Sequence, residues 1–455
     1  MFFVDTIETT GLGNRSYLAG GERTALVVDP PRDIDRIIAA AARRGVRVSH
    51  VVETHVHNDY VTGGLELARV TGAAYLVPAA ARVSFDRTPV HDGDTVEVDA
   101  HAGLTLRAVA TPGHTPHHMS YVLEEHGTAV AVFTGGSLLI GTVGRPDLVE
   151  PRLTEQLARA QHASARRLAA ELPDATTVLP THGFGSFCSS SQETGEGPTT
   201  IGKEKAANEA LTLDVDAFVS ALLAGLDDVP AYYAYMGPAN AAGPEPVDLT
   251  PPAVADADEI AARLAAGEWV VDLRSRLAFA EGHVAGSLNF EAEGQLATYL
   301  AWLLPWGRPV TLLAATAEQL AAAQRELVRV GVDRPAAGTT GRPDQWVREG
   351  QPLASFPRAT FADLAERAGE GTVVLDVRRA SERCAGFVAG SVHLPLHTLR
   401  DRLRDIPPGQ VWVHCAGGMR AAIAASLLDA AGRDVVAVDD PFAAAEKAGL
   451  DVRAC

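Results

Sequence analysis

Apolar residues in the first half of the chain fall in short runs that break into turns. TALVVDP, HVVET, AAYLVP, LTLRAVAT, AVAVFTGG and TTVLPTH are β-rich and alternate with helical stretches such as Asp33–Arg44 and Leu153–Glu171. Several of these runs end in turns bearing Gly, His or Asp, where layered α/β folds place their chemistry. The segment Gly237–Pro252, GPANAAGPEPVDLTPP, is dense in Pro, Gly and Ala and almost free of large apolar residues, so it reads as a linker.

Beyond it the pattern repeats. VVDLRSRLAFAEGHVAGSLNF at Val270–Phe290 matches VLDVRRASERCAGFVAGSVHL at Val374–Leu394 without a gap, setting Asp272 on Asp376 and Arg274 on Arg378. Each copy continues into a helix, an apolar strand (VTLLAA, VWVHCA) and another helix, which predicts two small α/β domains with parallel sheets. The expected organisation is residues 1–240, a linker at 241–253, and repeat domains at 254–350 and 357–455.

Composition narrows the function classes. With 47% hydrophobic and 21% charged residues the chain is ordinary globular material, and a net charge of -18 without a basic cluster excludes nucleic acid as a partner. The N-terminus lacks a signal-peptide pattern and no apolar run is long enough for a membrane helix, so a cytoplasmic protein without membrane contact is expected. Four dispersed cysteines (Cys188, Cys384, Cys415, Cys455) suit free thiols in a reducing compartment, with Cys384 in a structural turn. A homo-oligomer is compatible with this composition.

In the second copy the strand VWVH runs into Cys415-Ala416-Gly417-Gly418-Met419-Arg420 and then a helix. Glycines at this junction let successive N–H groups converge into an anion-binding nest, and the helix N-terminus adds partial positive charge. Both favour a thiolate at Cys415, and Arg420 supplies a fixed charge for an anionic donor. The DVR triplet, the GFVAGSVHLP turn and the Cys-x-x-x-x-Arg loop resemble the rhodanese family. That resemblance implies that Cys415 carries a persulfide, that Gly417 and Gly418 line the substrate loop, and that Arg420 closes it. The bland alternative is a buried small hydrophobe. In the first copy Ala314 or Ala315 stands where the cysteine belongs, so that domain cannot carry sulfur.

A second constellation lies in the front half. After HVVE come Thr54-His55-Val56-His57-Asn58-Asp59-Tyr60, then TPGHTPHHMSYVL presents His114 and LPTHGFGS presents His182. Three strand ends each bearing His can converge on one metal ion, although with fifteen histidines any single one is better explained as a surface or core residue. These stretches, with SYLAGG, VVDPPRDID and FTGGSLLIGTVGRPDL, resemble the metallo-β-lactamase fold, in its persulfide dioxygenase branch. The implied architecture is an αββα metallo-β-lactamase sandwich followed by two small parallel-sheet rhodanese-like α/β domains. The implied cofactor is one ferrous iron rather than zinc, and the implied substrate a low-molecular-weight thiol persulfide such as glutathione persulfide, oxidised with oxygen to sulfite.

Two departures stand out. Tyr60 replaces the last His of the HxHxDH signature, which fits a mononuclear site. Gly136 replaces the aspartate of the iron triad, leaving His55 and His114 as its surviving ligands. His57, Asp59 or His182 can complete a rearranged site; alternatively no metal binds. By the same resemblance Arg145 lies near the thiol substrate, with a surface ion pair as the alternative. The leading expectation is therefore a sulfur-metabolism enzyme joining persulfide oxidation to sulfur transfer, toward a small thiol or a sulfur-carrier protein. A glyoxalase II-like thioester hydrolase, and a metal-free scaffold in which only Cys415 reacts, are the competing readings.

Overall fold

The computed structural model describes residues 2–190, 197–367 and 371–455. The chain divides into two units, Met1–Val247 with Val328–Gly331, and Asp248–Leu327 with Val332–Cys455.

The first unit is built on two six-stranded sheets. One contains Phe3–Thr9, Asn14–Gly20, Thr24–Val28, Arg47–Val52, Ala74–Pro78 and Thr88–Val90 in chain order, antiparallel at first and parallel from Thr24–Val28 onward. The other is ordered Thr199–Thr200, Thr177–Pro180, Thr128–Gly135, Met119–Glu125, Leu104–Ala110, Thr95–Asp99. Alternation along the strands assigns their faces. Leu26, Val28, Val52, Tyr121, Leu123 and Phe133 meet in the core between the sheets. Their neighbours Val27 and Val51 turn outward under the helices Asp35–Arg44 and Gly64–Thr71, and Val122 and Val132 turn outward under Thr154–Glu171. The unit is thus the expected αββα sandwich.

The second unit holds two parallel sheets of the same strand order. Leu288–Asn289, Trp269–Asp272, Val310–Ala314, Ala337–Thr340 form the first; Val392–His393, Thr372–Asp376, Gln410–His414, Val435–Val438 repeat it, with Arg358–Ala359 added at the edge. The repeated Asp-x-Arg explains itself. Arg274 pairs with Asp272 and donates to the Gly282 carbonyl at 2.8 Å, and Arg378 pairs with Asp376 and donates to the Gly386 carbonyl at 2.6 Å. In each copy one guanidinium, buried at Arg378 and partly buried at Arg274, pins the first strand to the glycine of the following turn.

Two expectations are corrected. Gly237–Ala242 is not linker but the end of the helix Tyr233–Ala242, anchored by buried Tyr233, Met236 and Asn240 despite Pro238. Cys384 and Cys455 are not free thiols but a disulfide, 71 residues apart in sequence. Antiparallel pairing of Phe387–Val388 with Val452–Arg453 brings the two together, a proximity that sequence spacing hides. The cysteine pattern therefore no longer supports a reducing compartment. Among the described residues no helix is long and apolar enough to cross a membrane.

Candidate functional site

Strands Leu104–Ala110, Thr128–Gly135 and Thr177–Pro180 point the same way through their pairing, so the turns bearing His114, Gly136 and His182 leave one end of their sheet. The turn after Arg47–Val52 adds His55, His57 and Asp59. All four imidazoles are at most 1% exposed, with ring centroids 4.1–5.5 Å apart for the five close pairs His55–His57, His55–His114, His55–His182, His57–His182 and His114–His182.

Hydrogen bonding fixes which nitrogens are free. His114 Nδ1 lies 2.8 Å from the Arg145 carbonyl, which only accepts, so Nδ1 carries the proton and Nε2 is a bare lone pair without a partner. His55 Nδ1 is 2.8 Å from the Thr54 hydroxyl, whose own proton goes to Asp29, so His55 Nε2 is bare too. His182 Nδ1 sits 3.2 Å from both Asp59 Oδ2 and Asn14 Oδ1, and its Nε2 faces His55 Nε2 at 3.2 Å. Two lone pairs facing each other in a dry site repel unless a cation lies between or beside them. This orphaned set fits a metal ion.

His57 is oriented differently. Its Nε2 lies 3.2 Å from Asp29 and 3.3 Å from Glu53, while Nδ1 faces Asp59 at 4.0 Å. Burial opposes its protonation, but the two carboxylates push it up to about 10. Burial holds His55 well below the usual imidazole range, and His114 down at about 3. Asp59 is held low by His182 and His57 against the effect of burial, and its Oδ1 has no hydrogen-bond partner. The set His55, His57 and His182, and the set Asp29, Glu53 and His57, each bring three donor atoms within 4.8 Å of one another.

Gly136 is more than an absent ligand, because a Cβ there would lie 2.3 Å from His114 Cδ2. The His114 ring occupies the space that a side chain at 136 needs, so the site is arranged around the glycine. Arg145 is buried in a two-pronged pair with Asp147, at 2.7 Å on both prongs, and donates to the Asp227 carbonyl at 2.7 Å. Its guanidinium is engaged within the fold; its carbonyl orients His114. Tyr60, in place of the signature His, donates to the Asp29 carbonyl at 3.2 Å.

Sequence reasoning missed two supports. Asn240 donates to the carbonyls of His57 and Tyr60, both at 2.8 Å, and accepts from Thr62 N at 2.9 Å, clamping the His55–Asp59 turn. His118 accepts from Gly136 N at 3.0 Å and contacts the Thr111 hydroxyl at 2.9 Å, which occupies both ring nitrogens. Asn240 gave no signal because its segment reads as linker; His118 sits in the TPGHTPHHM run.

In the second unit Cys415 follows the strand Gln410–His414 and is 2% exposed, with Gly418 N–H directed at its Sγ at 3.1 Å. The helix Met419–Ala430 begins immediately afterwards. Arg420 is clamped by Glu382, both guanidinium contacts measuring 2.6 Å. Burial would raise Glu382, but the Arg420 guanidinium holds it down at about 2. Tyr299, Trp302, Leu396, His397 and Arg420 line a small cavity at this loop, and Trp302 stacks on His397 at 5.0 Å. Register also decides the first copy. Asp272 pairs with Leu313 where Asp376 pairs with His414, so Ala314 occupies the position of Cys415. There the loop is shorter and the Gln319 side chain accepts from Ala315 N at 2.8 Å.

Two outcomes test the loop. Gly418 has φ +96° and an added Cβ would fall 2.1 Å from Asp439, whereas one at Gly417 meets nothing within 4 Å. Gly418→Ala should cost on the order of 1–3 kcal/mol in thermal unfolding, and Gly417→Ala should stay within about 0.5 kcal/mol. Glu382→Gln leaves Arg420 without its carboxylate and should cost on the order of 2 kcal/mol, less than for a fully buried pair because Glu382 is 23% exposed. Glu382 is depressed in the fold, so its contribution is present above its ordinary value of 4.5 and fades as pH falls toward 2. Unfolding curves of variant and wild type should therefore converge in acid.

Fold and site together define a metallo-β-lactamase domain joined to a rhodanese-like domain. Residues 9–182 match the model of the metallo-beta-lactamase superfamily and residues 360–447 that of the rhodanese-like domain. Among relatives, the mitochondrial persulfide dioxygenase of Homo sapiens is 29% identical over 248 residues, 52% of this chain and 82% of that protein. A hydroxyacylglutathione hydrolase of Ectopseudomonas mendocina is 33% identical over 162 residues, 36% of this chain and 58% of that one. A solved metallo-beta-lactamase from Staphylococcus aureus superposes with a TM-score of 0.66 at 25% identity, covering 75% of this chain and 99% of its own.

Proposed function

We propose that the chain is a sulfur-metabolism enzyme with two centres. Cys415 carries sulfur as a persulfide, and the buried histidine cluster would hold one metal ion for the oxidation, by molecular oxygen, of a low-molecular-weight thiol persulfide such as glutathione persulfide to sulfite. The observation that carries this reading is the Cys415 loop within a rhodanese-like domain, in a chain whose front half has persulfide dioxygenases among its relatives.

At Cys415 the thiolate attacks the outer sulfur of a donor such as thiosulfate. The donor's S–S bond breaks, sulfite leaves with the electron pair, and Cys415 is left as a persulfide. A thiol acceptor, or cyanide in the assay, then attacks the outer sulfur and the Cys415 thiolate departs. The Gly418 N–H supports negative charge on sulfur. Arg420, oriented by Glu382, offers a fixed positive charge to an anionic donor. The first rhodanese-like copy, with Ala314, contributes the wall residues Tyr299 and Trp302 instead of chemistry.

In the front unit His55, His57, His114 and His182, with the Asp59 carboxylate, would hold the ion. Iron(II) is the expected metal and zinc(II) the alternative. When bound, the ion supplies Lewis acidity toward a sulfur ligand and, as iron, electrons for oxygen chemistry. Asp59 and Asn14 fix the His182 tautomer, Asp29 and Glu53 orient His57, and the Arg145 carbonyl orients His114. The test is anaerobic iron loading of the full chain followed by glutathione persulfide and oxygen. Oxygen uptake with sulfite release is expected; neither appearing overturns the oxidising half. Turnover of S-lactoylglutathione without oxygen would select the hydrolase reading, which the Ectopseudomonas mendocina relative favours.

A further inference from the structure

We propose that Cys188 is a ligand of the metal ion, its Sγ taking the place of the carboxylate that Gly136 cannot supply. The proposal rests on the reading of the histidine cluster as a metal site and names a donor that neither the resemblance nor the HxHxD turn contains.

Three observations converge. The donor atoms of His114, His182 and Cys188 all lie within 4.8 Å of one another, and all three residues are fully buried. With His114 Nδ1 taken by the Arg145 carbonyl, Nε2 is the donor this residue can offer, and it has no hydrogen-bond partner, a buried lone pair that only a proton donor or a cation can satisfy. Arg145 links the two ends: its N–H donates to the Cys188 carbonyl at 2.9 Å and its carbonyl accepts from His114 Nδ1 at 2.8 Å. The Ser186 hydroxyl further fixes the turn by accepting from Cys188 N at 3.2 Å. The loop after His182 thus returns the cysteine beside the imidazoles at the end of the sandwich where Gly136 brings no carboxylate and the His114 ring takes up the space.

The chemistry is a ligand exchange. A divalent cation bonds to sulfur, the S–H bond breaks, and the proton leaves to solvent, with no change of oxidation state. A mixed imidazole–thiolate set takes borderline cations, zinc(II) as well as iron(II). Cys415, the other free cysteine among the described residues, belongs to the second unit, and Cys384 and Cys455 are joined to each other.

The experiment is cobalt(II) titration of the full chain after removal of metal with a chelator, under anaerobic conditions. A sulfur-to-cobalt charge-transfer band should rise to one equivalent in wild type and in Cys415→Ser. It should vanish in Cys188→Ser, with cobalt binding weakened at least about tenfold, since loss of even an outer partner costs 10–100-fold. Independently of whether that variant folds, X-ray absorption of the zinc-loaded wild type should show one sulfur at about 2.3 Å. Metal bound with nitrogen and oxygen neighbours only, or a band that persists in Cys188→Ser, overturns Cys188 as ligand and leaves the histidine site standing. Failure to bind cobalt at all overturns the metal reading and this proposal with it.

Discussion

Replacing Cys415 by serine should abolish formation of thiocyanate from thiosulfate and cyanide, by on the order of a thousandfold or more. The change removes one sulfur atom and leaves a hydroxyl, which is neither ionised near neutrality nor able to hold a transferable sulfur. The loop itself should persist, because its shape comes from Gly418 in the left-handed region and from the Arg420–Glu382 clamp rather than from the thiol. Ala314 in the first copy cannot compensate, since its register position carries only a methyl group. Steady-state kinetics with a circular-dichroism check measures this. Retained transfer in a folded Cys415→Ser protein would refute the assignment.

The second large effect belongs to His182. It lies in two of the possible donor groups, one with His55 and His57 and the other with His114 and Cys188. His182→Ala should lower metal content after anaerobic loading by about a hundredfold in affinity or more, above the range for outer partners, and oxygen uptake with glutathione persulfide should fall in step. Asp59→Asn keeps the size but removes the carboxylate that faces His182 Nδ1 and stands among the groups that would hold the ion, so a loss of at least about 10–100-fold is expected. Sulfur transfer through Cys415 should be unchanged in both. Metal analysis alongside the two activity assays separates the centres.

Short-range patterns carried much of the fold. Apolar runs ending in His-bearing turns announced the sheets that converge on His55, His114 and His182, and the ungapped repeat announced two parallel-sheet domains. The cysteine loop was readable because strand, glycines and helix start lie within ten residues. What escaped depends on contacts between distant segments. Asn240 clamps a turn 180 residues away from within a helix whose composition looks like a linker. Glu382 meets Arg420 across 38 residues, and Cys384 meets Cys455 across 71. Gly136 was visible as a missing aspartate, but not that the His114 ring fills its place. Local propensity and spacing hold no information on such pairings; tertiary packing decides them.

Sulfur transfer by this chain comes down to one covalent event at one side chain. Intact-protein and peptide mass spectrometry after brief exposure to thiosulfate, with the excess removed, reads it directly. The peptide containing Cys415 should gain the mass of one sulfur atom and lose it again on addition of cyanide. A Cys415 peptide of unchanged mass, in protein whose fold is intact, would contradict the proposed role.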